Sequence, residues 1–389
     1  MRVVQSCHGK FHHFDLARQL HRRGALECIF TAYPRWKLRA ENLPREKVRT
    51  FPWLQTAYMA RGRFGFTSEW LGRELAWRVH QSHDWFVKTS LPACDVFIGI
   101  SGVALASGRR AQSRGAKYIC DRGSAHIAEH DHLLREEFVR HGAPYAGVDP
   151  RDRDREEAEY AAADLITVPS QFARRSFLRR GVPAAKVRCV PYGMDLARFQ
   201  PVARPPADTF VVLFVGSVSF NKGVPYLLEA FARLRHPRKE LHLIGVIAPE
   251  MQAYLSGKIF SDVSFVGHQA QSELPRWMSS SHVLVLPSLS DGFGLVMAQA
   301  MACGCPVIAS ENSGGPDLIQ PGANGFVIPA GDSESLRERL QQLADDAPLQ
   351  RSFAESALAH VRSLGGWDTY GAAYFRLCEQ LHHGHVADS

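Results

Sequence analysis

At 389 residues the chain is too long for one ordinary core and suits two domains of roughly 150 to 200 residues each. With 45% hydrophobic and 22% charged residues it has the composition of a folded soluble protein. No apolar run approaches the roughly 18 residues of a membrane span, which excludes an integral membrane helix bundle. The formal charge of +7 divides unevenly: residues 1–199 carry 33 Lys+Arg against 21 Asp+Glu, or +12, and residues 200–389 carry 13 against 18, or −5. A basic first half suits an anionic partner such as a phospholipid surface or a lipid diphosphate. Nucleic acid is not expected, because the basic residues are dispersed and no recognition motif occurs.

In chain order, short apolar strands alternate with helical stretches: MRVVQS, a helix from about Phe14 to Arg23, ALECIFT, then DVFIGI (95–100), AKYIC (116–120), DLITVP (164–169) and KVRCVP (186–191). That alternation predicts a parallel, doubly wound sheet. The start, MRVVQSCHGKFHH, lacks the apolar core of a signal peptide, so the expected location is the cytoplasm. In the loop after the first strand, Gly9 offers close backbone approach to a phosphate, or simply an ordinary turn. The segment from Phe51 to Phe86 crowds aromatics with arginines, which fits either an interfacial membrane surface or a core helix preceded by a loop. Asp152-Arg153-Asp154 has a D-x-D spacing, but alternating charges ahead of a helical stretch read as a solvated face rather than a metal site. The adjacent pairs His12-His13 and His382-His383 lack the i, i+4 spacing of a helical metal site, and no metal is expected. Eight scattered cysteines without a C-x-x-C pair read as reduced, mostly buried thiols.

The proline-rich stretch Pro201 to Asp208 reads as a linker, giving expected boundaries of 1–200, 201–208, 209–364 and a terminal helical segment 365–389. A second strand series follows: TFVVLFVG (209–216), ELHLIG (240–245), VSFVG (263–267), HVLVLPS (282–288), CPVIAS (305–310) and GFVIPA (325–330). Two such domains leave a cleft between the carboxyl ends of their strands, where open α/β sheets bind ligands. FVGSVSFNKG, Phe214 to Gly223, ends a strand with Gly216 and sets Lys222 at a helix entry; with glycine after the lysine it is not a P-loop. A lysine there opposes the helix dipole, so it is either a surface lysine in an unfavourable place or a functional one.

The strongest signal is DGFGLVMAQAMACGCPVIAS, Asp291 to Ser310. An acidic residue, a Gly-Phe-Gly turn, an Ala/Met-rich helix starting near Gly294 and a buried strand follow without spacers. The helix aims free N–H groups and its positive dipole end at the turn, which suits a phosphate. The acidic Asp291 at the lip suits hydroxyls, or else caps the helix. Phosphate plus hydroxyls points to a nucleotide sugar.

This stretch resembles the donor site of family 4 glycosyltransferases, two-domain α/β proteins of the GT-B fold, whose turn and helix read E-G-F-G-x-x-x-x-E-A-M-A-x-G-x-P-V. Gly292, Phe293, Gly294, Ala300, Met301, Ala302, Gly304, Pro306 and Val307 match, while Asp291 and Gln299 stand where the family has glutamates. The resemblance implies two Rossmann-like domains with a last helix crossing back to the first, and metal-independent transfer with retention from a UDP- or GDP-sugar. The acceptor it implies is a glycan or lipid-linked molecule in cell-surface or exopolysaccharide synthesis, met by a peripheral protein at the inner face of the membrane. It makes Lys222 the diphosphate ligand, with Ser217 in place of the family's arginine. Asp291 and the backbone of Phe293, Gly294 and Leu295 would meet sugar and diphosphate, Gln299 the ribose, and backbone near Gly267 and His268 the base. In the first domain it makes His126, with His130 as second choice, the histidine facing the sugar. Because Ser217, Asp291 and Gln299 weaken the charged grip, a catalytically weak or inactive sugar-nucleotide binder is the alternative.

Overall fold

The computed structural model describes residues 1–61 and 68–384. Its first sheet contains β1 Val3–Cys7, β2 Leu26–Thr31, β3 Val48–Thr50, β4 Val96–Ile100, β5 Lys117–Asp121, β6 Leu165–Val168 and β7 Val187–Cys189, in the order β3-β2-β1-β4-β5-β6-β7. The second contains β8 Phe210–Val215, β9 Lys239–Ile244, β10 Val263–Gly267, β11 Val283–Leu286, β12 Val307–Ser310 and β13 Gly325–Ile328, in the order β10-β9-β8-β11-β12-β13. Every pairing is parallel. Runs such as FVVLFV are apolar without alternation because helices cover both faces of a parallel sheet. In each sheet the strand order reverses, at β1/β4 and at β8/β11, and the carboxyl ends at such reversals are where a crevice opens. The two-domain GT-B architecture is therefore present. β3 escapes prediction because three residues near Pro44 and Pro52 carry no readable period.

The first sheet buries a cluster on each face. One holds Phe30, Phe97, Tyr118 and Phe177. The other holds Phe14, Leu20, Ile29 and Ile98 together with Tyr370, Tyr374, Leu377 and Leu381 of the last helix, Trp367–His382. That helix returns from the second domain and lies against the helix His13–Arg22 so closely that a β-carbon on Gly371 would sit 2.3 Å from Gln19 Cβ. Gln19 Nε2 donates to Asp368 (2.6 Å), and Tyr374 shares its hydroxyl with Thr167 Oγ1 at 2.8 Å. All eight cysteines are unpaired, and burial pushes the thiol of Cys94 up to about 11.

Three histidines of the first domain, His13 and His83 in its interior and His8 half-buried at its edge, stay without charge. Burial, reinforced by neighbouring rings or cations, holds His8, His13 and His83 down at about 3 from 6.5. Since the folded pKa values lie below the unfolded one, the fold favours neutral imidazole. This stability is fully present above about pH 6.5 and is lost as pH falls toward 3. The urea midpoint should therefore decline steadily between pH 6.5 and pH 4; a flat midpoint over that window would contradict the burial of these rings.

Candidate functional site

β11 ends at Leu286, and the chain turns through Asp291, Gly292, Phe293 and Gly294 into the helix Leu295–Ala302. Gly294, at φ +75°, starts this helix with no side-chain cap, so the first-turn N–H groups remain available. Gly292 is required by close approach: a β-carbon there would lie 1.9 Å from the carbonyl oxygen of Gly123 in the first domain. Phe293 is buried and packs edge-on to Tyr192, 5.5 Å between ring centres, which anchors the turn at the domain seam.

Asp291 faces Lys222, and Nζ of Lys222 donates to its Oδ2 in a very short ion pair. Its other oxygen accepts the Phe293 N–H at 3.3 Å, so the carboxylate also braces its own turn. Lys222 precedes the helix Val224–Arg233, which begins at Gly223 without a side-chain cap, and Asp291 offsets the unfavourable placement of a cation there. Ser217 is exposed just past β8, where Gly216 donates its N–H to Ile244. Gly267 ends β10 and its carbonyl accepts from Gly245, with His268 exposed beside it. Gly9 lies across the cleft in a turn bonded internally: its carbonyl accepts from Cys7 Sγ (3.1 Å) and Thr31 Oγ1 (3.0 Å).

A cleft of about 1090 Å³ opens between the domains. Its walls include Leu295 and Gln299, one helical turn apart, and from the first domain His8, Lys10, Arg122 and Glu156. Asp291 and Lys222 are turned to each other and are not part of that wall. Arg122, which follows β5 directly, is a functional candidate that sequence reading passed over. A cation at the carboxyl end of a strand was the available signal. It donates to Ser101 Oγ (3.2 Å) and pairs with Glu156 at 2.6 Å.

The histidine assignment needs correcting. His126 does not face the cleft: it is 5% exposed and packs between Tyr160 and Phe177, each ring centre 5.0 Å away. It caps the helix Ile127–Arg140, with Nδ1 accepting the Ala128 N–H, while burial and then Arg122 hold its pKa down to about 4. The cap residue lies off the helical track, so its ring turns into the core. His130, one turn on, meets the second domain instead: Nδ1 lies 2.9 Å from Ser290 Oγ, next to Asp291. His126→Ala should thus cost about 1–3 kcal/mol of stability through the lost cap and packing, with donor affinity retained. His130→Ala should keep the fold and lower turnover. Thermal melts beside turnover assays separate these outcomes, and an inactive but fully stable His126→Ala would reverse the assignment.

Asp152 and Asp154 lie in the helix Pro150–Ala162; Asp154 is exposed, as a solvated face requires, whereas Asp152 is half-buried and lines the cleft. Among the described residues, His12, His13 and Asp121 form a buried group able to hold a metal ion. Asp121 is engaged already: Oδ2 meets His12 Nε2 at 2.6 Å and Oδ1 accepts from Thr167 at 2.6 Å. The aromatic segment Phe51 to Phe86, read as either a membrane surface or a core helix preceded by a loop, is partly described, residues 62–67 lying outside. The helix Trp53–Ala60 buries none of its side chains, and Trp53, Met59 and Trp70 are 75%, 63% and 73% exposed. The helix Glu69–Ser90 contributes Val79 and Val87 to the core, as the core-helix alternative has it.

Residues 209–346 match the family model described as glycosyl transferases group 1. A D-inositol 3-phosphate glycosyltransferase of Streptomyces bingchenggensis is 31% identical over 242 residues, 56% of this chain and 53% of that protein. D-inositol 3-phosphate glycosyltransferase 1 of Catenulispora acidiphila is 29% identical over 279 residues, 66% and 65% of the two chains. The chain thus spans about half the length of the first of these relatives. Among solved structures, sucrose-phosphate synthase of Thermosynechococcus elongatus superposes with a TM-score of 0.70 at 20% identity, covering 99% of this chain and 100% of that one. Anabaena HepE in complex with UDP and glucose gives 0.71 at 18%, covering 98% and 100%. At these identities the likeness is one of fold.

Proposed function

We propose, for a chain whose residues 209–346 belong to the glycosyl transferases group 1 family, that it moves a sugar from a nucleotide-sugar donor to a glycan or lipid-linked acceptor. The observation that carries this reading is the Gly292–Gly294 turn at an uncapped helix start, with Lys222 beside it and held by Asp291. A diphosphate takes the helix N–H groups and draws the lysine, which leaves the Asp291 carboxylate to accept hydroxyls. Gln299, one turn along the same helix and on the cleft wall, takes the ribose in this reading. Positioning and relief of charge on the leaving diphosphate then supply the catalysis, with retention of configuration and without a bound metal. His130, bridging to Ser290 beside the turn, is the first-domain histidine of the site.

The HepE complexes, which hold UDP, UDP with glucose, or UDP-glucose, favour a uridine donor over a guanosine one. The exposed Trp53, Met59 and Trp70 on the basic domain support peripheral contact with a membrane from the cytoplasmic side, in cell-surface glycan synthesis. No helix among the described residues is long and apolar enough to cross one.

A thermal-shift screen of UDP- and GDP-sugars tests the reading. A cognate donor at 100 times its Kd adds about 2.7 kcal/mol of stability. UDP-glucose or another UDP-sugar should raise the melting temperature above UDP alone, and no response to any nucleotide sugar would sink the donor site. Donor binding with no turnover on any acceptor would instead identify an inactive binder, to which Ser217, Asp291 and Gln299 already lean.

A further inference from the structure

We infer that the acceptor entering this cleft presents an uncharged, polyhydroxylated sugar ring, not a phosphorylated one. The inference rests on the donor reading above and concerns the opposite wall, in the first domain. There the helix Leu105–Gln112 starts at the cleft, behind the wall residues Ser101, Gly102 and Val103. A helix start at the carboxyl end of a strand is the position where an α/β sheet holds an anion.

Here it is filled from within. Fully buried Glu159 accepts the N–H groups of Gly102 and Ala104, the latter at 2.8 Å. Asp84, equally buried, accepts those of Ala106 and Ser107, both at 2.8 Å. Arg155 lies between the two carboxylates, 2.7 Å from Asp84 and 3.5 Å from Glu159. A phosphate would have to displace two buried acidic side chains to use these N–H groups. In the second domain the helices after Gly223 and Gly294 carry no such side-chain cap.

The cations of the wall are committed as well. Lys10 pairs with Glu41, Arg18 with Asp15 and with Glu41 at 2.8 Å, Arg122 with Glu156, and Arg198 with Asp195 at 3.6 Å. With Asp152 added, five carboxylates face four Lys and Arg side chains along the described lining. The +12 excess of the first 199 residues therefore lies outside the cleft. Alternating carboxylates and guanidinium groups match hydroxyls, each of which donates and accepts, whereas a phosphate dianion meets more negative than free positive charge.

The test uses the full chain with the donor that the thermal-shift screen selects. Donor consumption is followed with neutral octyl glycosides of glucose, galactose and mannose, and with glucose 6-phosphate and inositol 3-phosphate. At least one glycoside should accelerate consumption tenfold or more and the phosphorylated compounds should not. Glu41→Gln, which releases Lys10 while Arg18 keeps Asp15, should bind glucose 6-phosphate at least tenfold more tightly than the parent by calorimetry, with UDP affinity reporting that the protein is intact. A phosphorylated compound that outperforms every glycoside overturns the inference, as does donor hydrolysis that no glycoside accelerates. Should no nucleotide sugar bind at all, the donor reading fails first, before any acceptor is added, and this inference falls with it.

Discussion

Lys222→Ala is expected to raise the dissociation constant for UDP by about 10- to 100-fold while leaving uridine affinity nearly unchanged. A charge-assisted hydrogen bond to a diphosphate contributes roughly 1.5–3 kcal/mol, which sets that range. The substitution removes more than an attraction. Lys222 now neutralises Asp291, whose side chain is only 13% exposed. Without the lysine, that carboxylate stays beside the turn as an unpaired negative charge and repels the incoming phosphates. The split between UDP and uridine is diagnostic, because a general loosening of the domain would weaken both. Calorimetric titration of the two ligands against parent and variant measures it, and equal losses would remove Lys222 from the phosphate site.

Gly292→Ala should lower turnover by roughly 100-fold with the protein still folded, the scale expected when reacting groups are displaced by about 1 Å. The cause is steric and lies between domains. The added methyl would sit 1.9 Å from the Gly123 carbonyl oxygen and 2.8 Å from Ser124 Cα, both backbone atoms of the opposite domain. Neither can rotate away as a side chain would, so the second domain must back off from the first. His130 and Ser290, which bond across the same seam, would separate with it. Nucleotide affinity should fall far less than turnover, since Lys222 and the helix start travel with the turn. Retained turnover would show that the contact at Gly123 is dispensable.

Much of the fold is legible along the chain because its signals are local. TFVVLFVG, HVLVLPS and CPVIAS are continuous apolar runs bounded by polar or glycine residues, and each is a buried parallel strand. The Gly-Phe-Gly turn announces its helix start, and Trp367 to Leu381 shows the helical period of the returning segment. What a run of sequence does not carry is direction within the fold. His126 and His130 are both histidines at the start of one helix, yet the first caps it and turns inward while the second spans to the other domain. Likewise His12 and His13, adjacent and unremarkable by spacing, converge on Asp121, 109 residues away from His12.

By itself the sequence determined the class of structure and the glycine turn at an uncapped helix start, because strand hydrophobicity, glycine conformation and helix polarity act over a few neighbouring residues. The tertiary structure alone decided how charge is used. Lys222 meets Asp291 across 69 residues, Glu159 reaches the Gly102 N–H across 57, and neither pairing leaves a periodic trace in the chain. Net charge summed along a sequence records how many ions there are, whereas their partners and burial depend on which distant segments the fold brings together, and in a low-dielectric cleft those partners set what can bind.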